Sequence, residues 1–150
     1  MLRVSRMADY AVLLATYIGR HENDLHSSAG LSRATGIPAP TVSKLLKHLA
    51  RDNILISQRG ILGGYSLARP TKLISVAEII VSIDGPIAMT DCLSADKDCD
   101  LQKSCNVKEP WKKISDAINS TLTELSLENI IQGNNLKDFA HTYTGAKGKI

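Results

Sequence analysis

Three cysteines, Cys92, Cys99 and Cys105, are the only thiols in 150 residues, and all lie between Asp91 and Asn106. Six residues separate the first pair and five the second. An odd number cannot all pair as internal disulfides. Thiolates gathered on one loop suit a soft metal centre, because sulfur ligands hold iron–sulfur clusters and cysteine-rich zinc tightly. No Cys-x-x-Cys knuckle is present, which argues against a structural zinc finger. A zinc site of three cysteines with a carboxylate or water stays open. The histidines, His21, His26, His48 and His141, lie outside the loop and read as surface residues rather than ligands.

The elements ahead of the loop read as three helices and a hairpin. Ser5 is placed to cap a first helix whose apolar positions, Met7, Tyr10, Ala11, Leu14, Tyr17 and Ile18, recur at three and four. Residues 21–26 are polar and break it. Ser27 or Ser28 caps a short second helix through Leu31 and Ala34, ended by Gly36. Pro40 suits the first position of a third helix. That helix would bury Val42, Leu45, Leu46 and Leu49 and present Thr41, Lys44, Lys47, His48 and Arg51. A short helix, a glycine turn and a helix with one basic face is the helix-turn-helix plan. Residues 54–57 and 65–68 alternate like paired strands around a glycine-rich tip, residues 58–64. A hairpin beside a recognition helix is a wing; the simpler reading is an ordinary tight hairpin. A phosphate-binding P-loop does not fit, since Gly-Lys-Ser/Thr is missing and the segment leads into a strand.

On this plan Thr41, Ser43 and Lys44 are expected to face base edges, and Lys47 and Ser28 to position phosphates. Arg59 is expected in a minor groove, whose negative potential draws arginine. Gly63 and Gly64 would let the backbone approach phosphates closely. Charge agrees: residues 1–75 hold ten Lys/Arg against four Asp/Glu, whereas residues 76–150 hold eight against eleven. The basic half is the one that could face DNA.

Further on, residues 75–78, Ser-Val-Ala-Glu, form a capping box opening a helix to about Ile83, ended at residues 84–86. Pro110 initiates or closely precedes a long helix with the apolar stripe Trp111, Ile114, Ile118, Leu122 and Leu125. That stripe suits a partner helix or its own domain. Dimerisation is the favoured reading, because winged-helix regulators match two-fold DNA half-sites. Ser126 caps a brief helix to Gln132. The expected organisation is a winged-helix DNA-binding domain (1–85), a cysteine loop (86–107), a dimerisation helix with a short final helix (108–132) and a disordered tail (133–150).

The fold class is therefore mostly α with a small β-hairpin: a winged helix-turn-helix domain plus a long C-terminal dimerisation helix. A hydrophobic content of 43% with only 4% aromatics fits a helical core of Leu, Ile, Val and Ala. No run approaches the roughly 18 apolar residues of a membrane span. Residues 10–18 mimic a signal peptide, but Asp9 and Arg20 flank them and no small-residue cleavage site is clear. A cytoplasmic, thiol-reducing compartment is expected. An enzyme is a poor reading: no nucleophile triad can be placed, and neither a dinucleotide fingerprint nor a Cys-x-x-Cys redox pair is present.

The chain resembles the IscR/NsrR-type winged-helix regulators of bacteria, most closely the branch associated with SUF iron–sulfur assembly. The resemblance runs from residue 1 to about residue 131. It is carried by residues 1–12 (MLRVSRMADYAV), 35–44 (TGIPAPTVSK), 59–67 (RGILGGYSL), 74–80 (ISVAEII) and the three-cysteine loop. It implies a homodimeric repressor whose long helices cross. It also implies an iron–sulfur cluster, 2Fe–2S or 4Fe–4S, held by Cys92, Cys99 and Cys105 near the partner's first helix. Some relatives use a His three positions after the last cysteine, where this chain has Lys108. Others use a carboxylate from the opposite subunit's first helix, and Asp9 occupies that position. Asp9 also reads as an ordinary first-turn acid favoured by the helix dipole. The implied function is a transcription regulator that senses cluster status and controls SUF-type genes. The alternative is a redox or cluster carrier with a helical interaction module, which would have no need of a wing beside a basic helix.

Overall fold

The computed structural model describes residues 3–90 and 105–133. Helix α1 (Arg6–Arg20) is capped by Ser5, whose hydroxyl accepts from the Ala8 N–H at 3.0 Å and donates to the Asp84 carboxylate at 2.6 Å. A capping hydroxyl satisfies one of the amides that a helix start leaves without a partner. The inner face of α1 is built largely of small residues, with Ala8, Ala11, Ala15 and Gly19 all buried beside Leu14 and Ile18. Side-chain size sets how near helices can lie. At Gly19 an added Cβ would come within 2.7 Å of Ile131 and 3.0 Å of Thr71.

Helices α2 (Ser28–Thr35) and α3 (Ala39–Arg51) follow, then strands β1 (Leu55–Gln58) and β2 (Gly64–Leu67). The strands pair antiparallel, with Leu55 opposite Leu67 and Gln58 opposite Gly64. A single 3-10 turn (Thr71–Leu73) leads to α4 (Val76–Asp84), and the chain closes with α5 (Lys108–Glu124) and α6 (Leu127–Gln132). The expected helical class with one small hairpin is the observed one. Boundaries move slightly. Ser27, not Ser28, caps α2, and Pro40 sits at the second helical position rather than the first. Helix α5 begins two residues before Pro110, which costs nothing because amides of the first turn have no intrahelical acceptor.

One core joins these elements. Leu14, Ile18, Leu31, Leu45, Leu46, Leu49, Ile54, Leu55, Ile74, Ile79 and Leu127 are fully buried in it. Each such side chain stabilises the fold by roughly 1.5–3 kcal/mol relative to exposure. A smaller cluster of Ala8, Val76 and Ile80 receives Leu122, Leu125 and Ile130, bringing α5 and α6 onto α4. The Ser75–Glu78 capping box forms as the sequence predicts. Backbone hydrogen bonds from Val76 to Leu125 (2.9 Å) and from Leu127 to Ile74 (2.8 Å) stitch α6 to the start of α4. Among the described residues, no helix is long and apolar enough to cross a membrane.

The last turn of α4 ties two other helix ends. Asp84 takes the Ser5 hydroxyl, and Ser82 donates to Asp52 at 2.6 Å. Asp52 is the C-cap of α3 and pairs with Arg51 at 2.9 Å. The hydrogen bond from Arg51, and then that from Ser82, holds the Asp52 carboxyl down to about 2. A carboxyl depressed in the folded state favours unfolding once protonated. Its contribution is therefore full above about pH 4 and is lost as pH falls toward about 2. Asp52→Asn is expected to lower the thermal midpoint at neutral pH and to flatten its decline through this window, as read by thermal unfolding at stepped pH. An unchanged acid profile would mean that the Arg51–Asp52–Ser82 set does not hold the end of α3.

Candidate functional site

The α2–α3 turn is fixed by local chemistry. Gly36 adopts the left-handed conformation (φ 73°), which favours glycine, and its N–H donates to Ser32 at 2.9 Å. The Ser32 hydroxyl donates to the Ile37 carbonyl at 2.7 Å, and Ile37 is buried. Helix α3 then lays Val42, Leu45, Leu46 and Leu49 into the core, as its spacing predicts. Lys44, Lys47 and Arg51 remain exposed, with Thr41 and Ser43 half-buried. Ser28 and Ser43 meet, their hydroxyl oxygens 2.9 Å apart across α2 and α3. The two helices are thus tied on the open side by residues assigned above to phosphate and base.

His48 is a correction. The sequence places it on the open face, but it is half-buried, lining a cleft of about 280 Å³ with Ser5, Lys44, Ile83 and Asp84. Its Nδ1 is buried without a hydrogen-bond partner among the described residues. Helix α3 turns this position, one turn after Lys44, toward α1 and α4. Arg51 likewise is exposed but engaged by Asp52, so the free cations of this face are Lys44 and Lys47.

The wing carries a third short partner that the sequence does not signal. His26 pairs with Tyr65 through both backbone hydrogen bonds, at 3.0 and 2.9 Å. Its imidazole Nε2 lies 3.1 Å from the His21 carbonyl, and its ring packs edge-on against Tyr17. This explains the glycines from within the fold. A Cβ on Gly63 would run into the Gln58 carbonyl, and one on Gly64 would lie 2.9–3.0 Å from the His26 backbone. Arg59 is exposed at the turn between the strands.

Cys92 and Cys99 lie outside the described residues. Cys105 is half-buried, three positions before α5. The entry to the loop is held as well: the Met89 N–H donates to the hydroxyl of Ser115, the buried residue of α5, at 3.0 Å. Both ends of the cysteine segment therefore rest on the first two turns of one helix. Asp9 is exposed in the first turn of α1, lining a shallow cleft with Arg3, Val4, Ser5 and Arg6. Among the described residues, no three His, Cys, Asp or Glu side chains converge. The donor chemistry nonetheless suits an iron–sulfur centre, with three thiols on one segment closed at both ends. The α5 stripe divides. Leu122 and Leu125 pack on the protein's own core cluster, whereas Trp111 and Ile114 are 38% and 43% exposed.

A helix-turn-helix with a paired wing is a winged-helix DNA-binding unit. Residues 4–133 match the Rrf2 family, described as iron-dependent transcriptional regulators, and the chain belongs to that family. It is 27% identical over 140 residues to the HTH-type transcriptional regulator IscR of Photorhabdus laumondii, spanning 93% of this chain and 85% of that one. Among solved structures it is similar to IscR of T. potens (TM-score 0.66, 25% identity, 88% of each chain). It is also similar in fold to CymR, described as the global cysteine regulator of B. subtilis (TM-score 0.69, 23% identity, 89% of this chain and 99% of that one). The chain is a DNA-binding transcriptional regulator and not an enzyme.

Because Gly64 is walled by the His26 backbone, Gly64→Ala is expected to part β2 from His26. The expected loss is about 1–3 kcal/mol of stability, read by denaturant unfolding. Retained stability with intact His26 amide protection in hydrogen exchange would show that the bridge tolerates a Cβ.

Proposed function

We propose that the chain is a homodimeric repressor that reads operator DNA with α2, α3 and the wing, senses an iron–sulfur cluster on its cysteine loop, and controls SUF-type iron–sulfur assembly genes. One observation carries this reading: α4 joins a basic helix-turn-helix to the three-cysteine segment, and its last turn holds both the start of α1 and the end of α3. Residues 1–85 would read DNA, 86–107 carry the ligands and 108–132 pair the subunits. Lys44 with Thr41 and Ser43 would meet base edges. Lys47 and Ser28 would position phosphates, and Arg59 would enter the minor groove, with Gly63 and Gly64 keeping the hairpin thin.

Cys92, Cys99 and Cys105 would hold the cluster, with the partner subunit's Asp9 as fourth ligand. When bound, such a centre supplies a thiolate-held iron site that responds to iron supply and oxidation. The chain's own part is mechanical. Asp9 lies one turn beyond Ser5, and Ser5 is held by Asp84 just before the loop. Ligation of Asp9 across the dimer would fix α1 of one subunit to the loop of the other. That sets the spacing of the two α3 helices, a coupling between two sites through the interface. The half-open α5 stripe at Trp111 and Ile114 supports pairing through that helix.

Lys47→Ala is expected to weaken binding to all DNA and reduce the salt slope by about one unit per subunit. Arg59→Ala is expected to cost about 1–3 kcal/mol at a specific site. Titration against selected and random duplexes at several salt concentrations checks both, and unchanged slope and affinity would displace DNA from this face.

The cluster assignment is checked by anaerobic reconstitution with absorption, iron and sulfide analysis. Alanine at any of Cys92, Cys99 or Cys105 is expected to abolish cluster absorption, and Asp9→Ala to leave a cluster that is altered or lost faster. Normal iron content in the triple-cysteine variant would refute the site. Identical cluster stability in Asp9→Ala would remove only the fourth ligand.

A further inference from the structure

The tip of the wing carries two large apolar side chains that no other described residue covers. Ile61 is 104% exposed and Leu62 90%, against 57% for the next large hydrophobic residue, Leu73. Scattered exposed leucines are ordinary. Two adjacent ones at the far end of a hairpin are not, because among the described residues no neighbouring element covers that end. The turn presenting them is well defined. The Gly63 N–H donates to the Gly60 carbonyl at 3.0 Å, Gly60 sits at φ 118°, and the Gln58–Gly64 pair closes the base. Arg59 stands immediately beside the pair.

We propose that Ile61 and Leu62 form an apolar wedge that enters the DNA minor groove beside Arg59 and partly unstacks a base step there. The inference rests on the DNA-reading role proposed above. Proteins that bind the minor groove insert apolar side chains, Leu and Ile among them, between base steps and kink the duplex. The minor groove is only about 6 Å wide. A tip of five residues, two of them glycine, is narrow enough to follow it. A protein partner is the less favoured occupant. A stable protein interface needs an apolar centre within a broad patch, whereas this pair is flanked by Arg59, Gly60, Gly63 and Gly64, and the next exposed apolar side chain of the hairpin is Ile56, two positions inside β1. The wedge also implies a preference that no hydrogen bond reads. Pyrimidine–purine steps unstack most easily and should be favoured where the tip lands.

The test uses the full chain and a duplex that it selects from a random-sequence pool, with dyes at both ends to report bending and 2-aminopurine at the wing contact to report unstacking. Four proteins are compared: unmodified, Ile61→Ser/Leu62→Ser, Arg59→Ala and Lys47→Ala. Both substituted side chains are fully exposed, so the fold is expected to keep its thermal midpoint. The double variant is expected to lose about tenfold in affinity, with the bend and the 2-aminopurine signal diminished. Its salt slope should be unchanged, because no charge is removed. Arg59→Ala should instead reduce that slope. Full affinity, bend and fluorescence in the double variant, while Arg59→Ala weakens binding, would overturn the wedge and leave the DNA-reading role intact. Failure of every variant, Lys47→Ala included, to change binding would overturn both. Normal DNA binding by the double variant with loss of repression in cells would overturn the wedge in favour of a protein contact.

Discussion

Close approach to α1 is the constraint on which the rest of the molecule depends. Its buried positions Ala8, Ala11, Ala15 and Gly19 allow α2, α3, α4, α6 and the wing strand β2 to pack around one helix. Bulk on this face would push neighbours outward and open the core. Leu127 of α6 and Ile79 of α4 would lose their place beside Leu14 and Ile18. The reading helix is therefore held at a distance set by small side chains on a helix that never faces DNA in the proposed arrangement. The same helix carries Asp9 at its open end. A ligand role there would couple metal binding to the one element that every neighbour uses as reference.

Polar ties refine what the core positions. Packing fixes α3 about its axis through Val42, Leu45, Leu46 and Leu49, but an apolar stripe alone tolerates sliding. The Ser28–Ser43 contact at one end and Asp52–Ser82 at the other restrict that freedom. Each bond contributes only about 1 kcal/mol net, so their value lies in direction rather than strength. The second leads into the last turn of α4, which also meets Ser5 and runs on toward the cysteine segment. A shift at the loop entry would reach both ends of the head through hydrogen bonds that are already short.

Local rules were legible in the residues wherever one side chain satisfied a nearby backbone group. Ser5, the Ser75–Glu78 box, the Ser126 cap and Gly36 act within a few residues of themselves, and the structure places them as read. Periodicity located the buried face of α3 for the same reason. What escaped was non-local. The bridge from His26 to Tyr65 joins a segment that reads as a polar break, and its formation depends on tertiary position. His48 sits on the lysine side of a helical wheel, yet the crossing of α3 over the α1–α4 junction turns it inward. Gly63 and Gly64 also answer to a cause inside the fold that the residues did not signal, the crowding by Gln58 and His26. Of the ligand set only Cys105 and Asp9 lie within the described residues, and the proposed dimer draws them from opposite subunits.

Charge and shape divide the labour on the proposed DNA face. Arg51 is committed to Asp52, leaving Lys44, Lys47 and Arg59 as the cations available per subunit. With each neutralised phosphate contributing about 0.9 to the salt slope, Lys47 and Arg59 of two subunits would give a slope of about four, a sequence-blind attraction. Discrimination must then come from few groups. Thr41, Ser43 and Lys44 offer hydrogen bonds in the major groove, yet Ser43 shares its hydroxyl with Ser28, which narrows the geometry it can adopt. A head with so small a polar vocabulary gains specificity most readily from DNA deformability. Among the described residues, the feature suited to sensing deformability is the thin hairpin at whose end the apolar pair stands, fixed by glycines that the fold itself requires.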